Sequence, residues 1–412
     1  MVQDDAALAA ARAMLPRIFT PRAPVAQVKL FAGRLEQVAL VLDAVSQVGQ
    51  HAILFGERGV GKTSLARLIE SFWRQMYMDE DLMSVRINCD TTDTFDSLFM
   101  KILDEIRLAY ESRGWEWPPV PALADVMSNL EQAPVTPNML RRLFVLAERS
   151  FVVIFDEFDR VEDESMKGLM ADTIKTLSDN LVDTTLVIVG VADDVDELVA
   201  SHASIDRNLI QVHMPRMSID ELDEIVSRGL DEVSMSCSSE IQERIALMSQ
   251  GLPHYTHLLS LHGAIAAVDD RRFEIQEGDL RAAFARALTQ ANQSTKSAYH
   301  RATASSRRVQ LYHQVLLACA LAHVDEVGFF TTLDVREPMS QIMGKRYEIP
   351  TFTQHLHAFC LPDRGPVLQK AGYERRYRFR FLDPLLKPYV VLRGLSEGII
   401  DEHTAYQALL RG

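Results

Sequence analysis

The sequence has few cysteines, and the four that it has, Cys89, Cys237, Cys319 and Cys360, are widely scattered. No two of them have CxxC spacing, which argues against a structural zinc site and a disulfide framework and is typical of a reducing cytoplasm. The sequence also lacks an apolar run of about 18 residues, so we expect no membrane span. Its N-terminal segment shows no basic-then-apolar secretory pattern. These features predict a cytoplasmic protein with no membrane partner.

The chain also lacks an overall excess of positive charge, since its formal net charge is −14 over 412 residues. This average hides an asymmetry. Residues 296–412 carry 16 Lys and Arg against 11 Asp and Glu, a net charge of +5, which leaves −19 for residues 1–295. A basic C-terminal region on an acidic body can still meet a phosphate backbone, so the composition does not exclude a nucleic-acid partner.

Short apolar runs alternate with longer amphipathic stretches over residues 40–300, a pattern typical of an α/β fold with a parallel sheet. The predicted strands are apolar throughout, as strands buried on both faces should be. They are HAILFG (51–56), SVRINC (84–89), FVVIFD (151–156) and TLVIVGV (185–191). After Met217 the strand signal fades, and helices at 218–233 and 239–251, each starting at a serine, predict an all-helical lid up to about residue 295.

A glycine-rich motif of the form G-x-x-x-x-G-K-[ST] directly follows the first predicted strand and precedes a helix. The glycines let the backbone N–H groups face phosphates, Lys62 would reach the β- and γ-phosphates of ATP, and Thr63 would ligate Mg²⁺. A glycine-rich turn that matches by chance is the alternative. The predicted nucleotide-binding residues are Gly56, Glu57, Arg58, Gly59, Val60, Gly61, Lys62, Thr63 and Ser64.

Two acids follow the apolar strand at 151–155, about 95 residues after the glycine motif. Asp156, at the tip of a buried strand, is suited to hold Mg²⁺ through its water shell. Glu157 is suited to polarise the attacking water as a general base. Strands often end in acids, so these two residues alone are weak evidence of a nucleotide site. They become strong evidence because the glycine motif occurs in the same chain.

The spacing of these motifs resembles that of AAA+ ATPases, nearest to the origin-recognition and initiator clade, from about Pro21 to Leu395. FAGRLEQ (31–37) is similar to the box that lines the adenine pocket in that family, which implies that Arg34 contacts nucleotide. LVIVGVADD (186–194) looks like the sensor 1 strand, with Asp193 where the family usually has Asn. Residues 204–226 are similar to the stretch between sensor 1 and the lid. There Arg207 takes the place of the arginine finger and implies homo-oligomers, a surface arginine being the alternative.

The lid segment GLPHYTHLLSL (251–261) departs from the family pattern, because His254 falls where the sensor 2 arginine would be. A mostly neutral imidazole cannot donate hydrogen bonds to two phosphate oxygens at once, as a guanidinium does. We therefore expect nucleotide binding but slow hydrolysis. His254 and His257 would also suit a metal pair, but no third ligand is evident and we favour two ordinary histidines.

The C-terminal region predicts a winged helix, which the resemblance also implies. Helices at 308–322, 332–344 and 349–360 precede a hairpin that turns near Gly372, and the hairpin's arginines alternate with aromatic residues. The helix at 349–360 would offer Gln354, His355 and His357 to a DNA groove. With Lys370 and Arg375, the hairpin would form a cationic wing. A solvated face or a protein-docking module is the alternative.

These observations predict an AAA+ α/β core with a parallel sheet (1–217), an all-helical lid (218–295) and a winged-helix domain (296–412). The first functional hypothesis is an ATP- and Mg²⁺-dependent switch that binds DNA. The second is a regulatory ATPase of a defence or transposition type whose winged helix docks a separate partner protein. A third is a nucleotide-stabilised scaffold with negligible turnover.

Overall fold

The computed structural model describes residues 2–79, 81–117, 120–199, 205–304, 311–325, 327–373 and 376–410. By compactness the chain divides into two units. One comprises residues 24–57 and 61–214, and the other comprises residues 1–23, 58–60 and 215–412. The predicted boundaries at residues 217 and 295 stay predictions. Within the described ranges, no helix is both long and apolar enough to cross a bilayer.

The unit formed by residues 24–57 and 61–214 is built on a five-stranded parallel sheet in the order β2-β3-β4-β1-β5. Helices flank this sheet and bury its strands on both faces, which explains why β3 and β4 are buried at every position. The strands are β1 (His51–Phe55), β2 (Met83–Asn88), β3 (Phe151–Asp156), β4 (Thr184–Val189) and β5 (Leu209–His213). The helices are α2 (Leu35–Ser46), α3 (Lys62–Tyr77), α4 (Phe95–Ser112), α5 (Pro121–Gln132), α6 (Pro137–Leu146) and α7 (Glu164–Asp179).

All four predicted strands are present, with ends that shift by at most two residues. Strand β5 was not predicted. It is at the edge of the sheet next to β1, and only Leu209 and Val212 of its five residues are buried, so it does not show the continuous apolar run that marks the inner strands. The α/β fold with a parallel sheet is confirmed.

The Pro-rich segment WEWPPVPALA (115–124) predicts a surface insertion loop in the first domain. In the structure Trp115 and Trp117 instead place their rings 5.6 and 4.9 Å from that of the buried Tyr110. Helix α5 follows, and residues 118 and 119 lie outside the described part of the chain. The segment therefore packs on the α/β unit through its aromatic side chains.

The other unit is mostly helical. Serine caps start two of its helices: Ser218 forms a capping box with Glu221, and Ser238, one residue earlier than predicted, caps the next helix. Its helices are α1 (Val2–Ile18), α8 (Ile219–Asp231), α9 (Ser239–Ser249), α10 (Pro253–Asp269), α11 (Glu277–Gln290), α12 (Gln293–Thr303), α13 (Tyr312–Leu321), α14 (Thr332–Met343), α15 (Thr353–Ala358), α16 (Leu386–Ser396) and α17 (Glu402–Leu410).

Two small sheets complete this unit. Strands β6 (Ser236–Cys237) and β7 (Glu274–Ile275) form a parallel pair. Strands β8 (Phe330–Thr331), β9 (Leu368–Ala371) and β10 (Arg378–Phe381) form an antiparallel sheet in the order β8-β10-β9. In β10, Phe379 and Phe381 are buried, whereas Arg378 is exposed, which confirms the predicted alternation.

The N-terminal helix α1 packs on α10, and the residue that follows it, Phe19, is buried against α8. Gly229 of α8 makes room for this ring, because a Cβ atom at Gly229 would lie 2.3 Å from Phe19 Cζ. An exposed ion pair joins Arg12 of α1 to Asp269 at 3.0 Å. The N-terminal segment therefore packs with the helices after residue 215.

His51 provides a pH-dependent test of the core. It is fully buried at the start of β1, where Nδ1 accepts a hydrogen bond from the Leu186 N–H at 2.9 Å. Burial lowers the pKa of His51 to about 4. Because the unfolded chain takes up this proton near pH 6.5 and the folded chain does not, the contribution of His51 to stability is present above pH 6.5. It is lost as the pH falls from there towards 4, on the order of 2 kcal/mol by about pH 5.

We therefore expect His51→Asn, which keeps an acceptor near Nδ1 but cannot titrate, to lose less free energy of unfolding between about pH 7.5 and pH 5 than the wild type. Urea unfolding at the two pH values measures the difference. The matched control is His403→Asn at an exposed histidine. Equal losses in wild type and His51→Asn would contradict the assignment.

Candidate functional site

The glycine motif lies between β1 and α3, as predicted. Gly56, Gly59 and Gly61 have φ angles of +142°, +90° and +101°, which other residues rarely adopt. At Gly56 the backbone also passes another segment closely, since a Cβ atom there would lie 2.4 Å from the Met214 carbonyl oxygen. The first position of the motif thus requires glycine for conformation and for space.

Lys62 begins α3, and its side chain is buried in the loop that precedes it. Its Nζ donates hydrogen bonds to the carbonyl oxygens of Gly56 at 2.9 Å and Glu57 at 2.8 Å. The ammonium is therefore held inside the loop, close to the N-terminal end of α3. A helix N-terminus and an ammonium together favour an anion at this place.

Thr63 and Asp156 meet although 93 residues separate them in the sequence. The Thr63 hydroxyl donates to Asp156 Oδ1 at 3.2 Å. Asp156 is the last residue of β3, and Thr63 follows the glycine loop that starts at the end of β1. The carboxyl ends of parallel strands lie at one edge of the sheet. The same Oδ1 atom accepts the Glu157 backbone N–H at 3.0 Å. The two predicted metal-binding side chains are thus brought together.

Arg86 of β2 is a member of this site that the sequence analysis missed. Its Nη1 donates to Asp156 Oδ2 at 3.0 Å and to Asn88 Oδ1 at 2.8 Å. Asp156 is almost fully buried, and Arg86 is the cation that neutralises it. The available signal was a charged residue, Arg86, in the predicted strand SVRINC.

Glu157 has a left-handed backbone, with φ of +58°, and an exposed side chain. Its Oε2 accepts a hydrogen bond from Arg160 Nη1 at 2.9 Å. Both side chains are about half exposed, at 52% and 50%, so this ion pair stabilises the fold little, but it does hold the carboxylate. Arg160 was not predicted, although its position three residues after Glu157 is the signal that points to it.

The other predicted nucleotide contacts lie on separate elements. Ser64 Oγ accepts a hydrogen bond from the Val25 N–H at 3.2 Å, which joins the start of α3 to the segment before α2. Arg34, at the N-terminus of α2, is buried with φ of +61°. Asp193 is exposed in the loop after β4, the strand between those that carry the glycine motif and the acids. The roles of these three residues stay predictions.

Arg207, the predicted arginine finger, lies just before β5 with its side chain 74% exposed. Its Nη2 lies 4.0 Å from Asp179 Oδ1, and its backbone carbonyl accepts a hydrogen bond from Gln50 Nε2 at 3.2 Å. The backbone is held while the guanidinium faces solvent. This geometry suits either a surface arginine or a residue that serves a neighbouring copy.

His254, predicted at the sensor 2 position, starts the first turn of α10 and contacts the Pro21 carbonyl oxygen through Nδ1 at 2.5 Å. Burial lowers the pKa of His254, so the imidazole is neutral at pH 7 and its Nδ1–H donates to the carbonyl. His257 is buried, and burial lowers its pKa to about 4. Among the residues described, no three His, Cys, Asp or Glu side chains group around a metal position.

The C-terminal residues predicted to face DNA divide into two groups. Gln354 is exposed, but His355 is buried with its ring 4.8 Å from that of Tyr312, and His357 packs against Tyr377 and Phe379. The interpretation of His355 as a groove contact was therefore wrong, because helix α15 turns this ring inward. His357 is half-buried, and its role stays a prediction. Arg376 and Arg378 are exposed, and Arg375 lies outside the described residues.

The residues present fit a nucleotide with its magnesium ion. A Cβ atom added at Gly61 would meet nothing within 4 Å, so the loop leaves open space beside Lys62. A hydroxyl and a carboxylate 3.2 Å apart supply the oxygen ligands that Mg²⁺ prefers. The strand order, the glycine loop and the Thr63–Asp156 pair together define a P-loop nucleotide-binding domain.

The comparisons with known proteins give the class more closely. Residues 46–199 match the family model of an AAA domain. The comparison with curated proteins found no match. The Walker-type ATPase PABY2304 of Pyrococcus abyssi shares the fold with a TM-score of 0.52 and 16% identity, over 91% of this chain and 99% of that one.

Two further structures match over most of their length. The ORC2 protein of Aeropyrum pernix, in ADPNP and ADP complexes, has a TM-score of 0.49 and 15% identity, over 96% of this chain and 98% of that one. The ORC1 protein of the same organism, in complex with DNA, has a TM-score of 0.44 and 13% identity, over 93% and 96%. Over residues 46–199, the match to an AAA domain and the parallel strand order confirm the predicted AAA+ P-loop core.

The carboxylate of Glu157 can be tested directly. We expect Glu157→Gln to lower ATP turnover by about 100-fold or more, because an amide cannot accept the proton of the attacking water. Nucleotide affinity should change little. Phosphate release at saturating ATP, with and without DNA, measures the effect, and Glu162→Gln, an exposed glutamate on the same segment, is the matched control. Unchanged ATP turnover in Glu157→Gln would show that Glu157 is not the general base.

Proposed function

We propose that this protein is an ATP-binding and slowly hydrolysing AAA+ ATPase that acts as a nucleotide-dependent DNA-binding switch. The single observation that carries the nucleotide half is the convergence of the buried Lys62 with the Thr63–Asp156 pair at one edge of the sheet. These are the positions that a P-loop enzyme needs for phosphate and metal. The DNA half of the proposal rests on the charge and shape of the C-terminal residues.

The proposed reaction assigns one task to each side chain. Lys62 and the N-terminus of α3 bind the β- and γ-phosphates, while Thr63 and Asp156 hold Mg²⁺ and its water shell. Mg²⁺, when bound, neutralises charge on the phosphate oxygens. Glu157 exchanges its contact with Arg160 for the attacking water and accepts its proton. Arg207 would stabilise the γ-phosphate charge from a neighbouring copy.

Slow turnover is part of the proposal because of His254. A neutral imidazole that donates to the Pro21 carbonyl brings no charge to a phosphate, unlike an arginine at the same position. The ion pair of Glu157 with Arg160 must also open before the base can act. Both features support a protein that holds ATP for a long time between turnovers, as a switch would.

The C-terminal region supports a DNA contact by its arrangement. Helices α13, α14 and α15 and the β8-β10-β9 sheet support the proposal of a winged helix, in which the β9–β10 hairpin would be the wing. Lys370, Arg376 and Arg378 lie on this hairpin. With His355 turned inward, helix α15 offers fewer side chains for contacts to DNA bases, so we propose affinity through phosphate contacts.

A docked partner protein is the second candidate, and the pairing of the hairpin arginines favours it. Arg378 forms an ion pair with Asp325 at 3.1 Å, and Arg376 Nη1 donates to the Tyr373 hydroxyl at 3.2 Å. Tyr373 and Leu382 are large apolar side chains exposed on or next to the same hairpin. Such a surface, partly neutralised and partly apolar, also suits a protein interface.

The switch predicts DNA binding that requires ATP. We expect a generic labelled duplex to bind more tightly with ATP than with ADP, and Lys62→Ala to abolish this difference because it removes the phosphate contact. Fluorescence anisotropy at low and moderate salt measures it. DNA affinity that is the same with ATP and ADP, and the same in Lys62→Ala, would contradict the switch. No DNA binding in any nucleotide state would favour the docked partner.

The hairpin arginines predict the salt dependence. We expect Arg376→Ala with Arg378→Ala to weaken binding and to reduce the slope of log K against log salt by about 2, since about one counterion is released per phosphate contact. The matched control is Arg107→Ala with Arg281→Ala, two exposed arginines away from the hairpin. An unchanged slope would exclude the hairpin from the DNA interface.

A further inference from the structure

Arg86 places a permanent positive charge at the edge of the sheet where Mg²⁺ is expected. Strands β2 and β3 pair in parallel, with Asn88 opposite Asp156 and Arg86 opposite Ile154. The Arg86 side chain reaches along the strand to its carboxyl end and contacts Asp156 Oδ2 at 3.0 Å. Its own exposure is 22%, against 3% for the Asp156 side chain. The ion pair is thus largely withdrawn from water.

Every oxygen of the Asp156 carboxylate already has a partner from the protein. Oδ1 accepts hydrogen bonds from the Thr63 hydroxyl and the Glu157 N–H, and Oδ2 accepts one from Arg86 Nη1. A buried carboxylate without a counter-charge is strongly unfavourable, and it would also repel the phosphates next to it. Arg86 removes both penalties, because its guanidinium stays charged at every accessible pH. The site is therefore electrostatically balanced before any metal binds.

We propose that Arg86 is a built-in cation that sets the metal dependence of this site: it lets the P-loop accept ATP without Mg²⁺ and weakens the additional effect of Mg²⁺. The inference rests on the proposed nucleotide binding and concerns a positioning residue that acts through Asp156. Without Arg86, Asp156 would face the phosphates as an uncompensated charge. Nucleotide without metal would then bind more weakly, and Mg²⁺ would bind more strongly.

The test measures the affinity of the full chain for a fluorescent ATP analogue in excess Mg²⁺ and in EDTA. The quantity of interest is the ratio of the Kd in EDTA to the Kd in Mg²⁺. We expect Arg86→Gln, which keeps a hydrogen-bond donor but loses the charge, to raise this ratio by about tenfold. Arg86→Lys should stay near the wild-type ratio because it keeps the charge.

The matched control is Arg113→Gln. Arg113 is 23% exposed and forms an ion pair with Glu70 at 2.8 Å elsewhere in the same unit. Its loss should leave the ratio unchanged. A merely structural role for Arg86 would weaken binding equally in EDTA and Mg²⁺, again leaving the ratio unchanged, and that outcome overturns the proposal.

Asp156→Asn provides a second test that does not depend on the folding of Arg86→Gln. With Arg86 retained and the carboxylate removed, we expect binding in EDTA to be at least as tight as in the wild type, and the response to Mg²⁺ to disappear. Weaker binding of Asp156→Asn in EDTA would overturn the proposal. A wild-type chain that binds no nucleotide in either condition would instead refute the proposed function itself.

Discussion

The functional chemistry of this protein depends on the parallel alignment of β1, β4 and β3. Parallel strands end at a common edge of the sheet, so whatever follows each of them is brought together regardless of its separation in the sequence. Here the glycine loop follows β1, the two acids end and follow β3, and Asp193 lies in the loop after β4 between them. The hydrogen bond from Thr63 to Asp156 is the direct consequence.

Among the described residues, Lys62, Arg86 and Arg160 are cations at this edge of the sheet, and each is bound to an oxygen of the chain itself. Lys62 is bound to two carbonyls of its loop, Arg86 to Asp156, and Arg160 to Glu157. The groups that would handle phosphate, metal and water are thus already balanced by the protein. Nucleotide must exchange these internal contacts for its own, which costs binding energy but keeps the site ordered. This balance agrees with a protein in which nucleotide state matters more than fast turnover.

The C-terminal region shows why charge in a sequence is weak evidence for a partner. The arginines of β10 face solvent as the alternation requires, but Arg378 already pairs with Asp325 and Arg380 donates to Gln369. Helix α15 is short and buries His355 and Leu356, and the His355 ring packs 4.8 Å from that of Tyr312. Phosphate contacts and a protein interface are both compatible with such a surface, and their different dependence on salt separates them.

The sequence by itself determined the features that are local. The glycine loop, the inner strands, the serine-capped helix at Ser218 and the alternation in β10 each depend on neighbours within a few residues, so period and composition predict them. The pairing of Thr63 with Asp156 was also predictable, because motif spacing together with a parallel sheet implies it.

Only the tertiary structure decided which side chains partner the acids and which way the histidines face. Arg86 reaches Asp156 from a neighbouring strand, Phe19 lies against α8 in the space left by Gly229, and α15 turns His355 inward. These contacts join residues that are distant in the chain or depend on how one helix is rotated against its neighbours. A single sequence carries no periodic signal for either, because packing between elements, and not local conformation, fixes them.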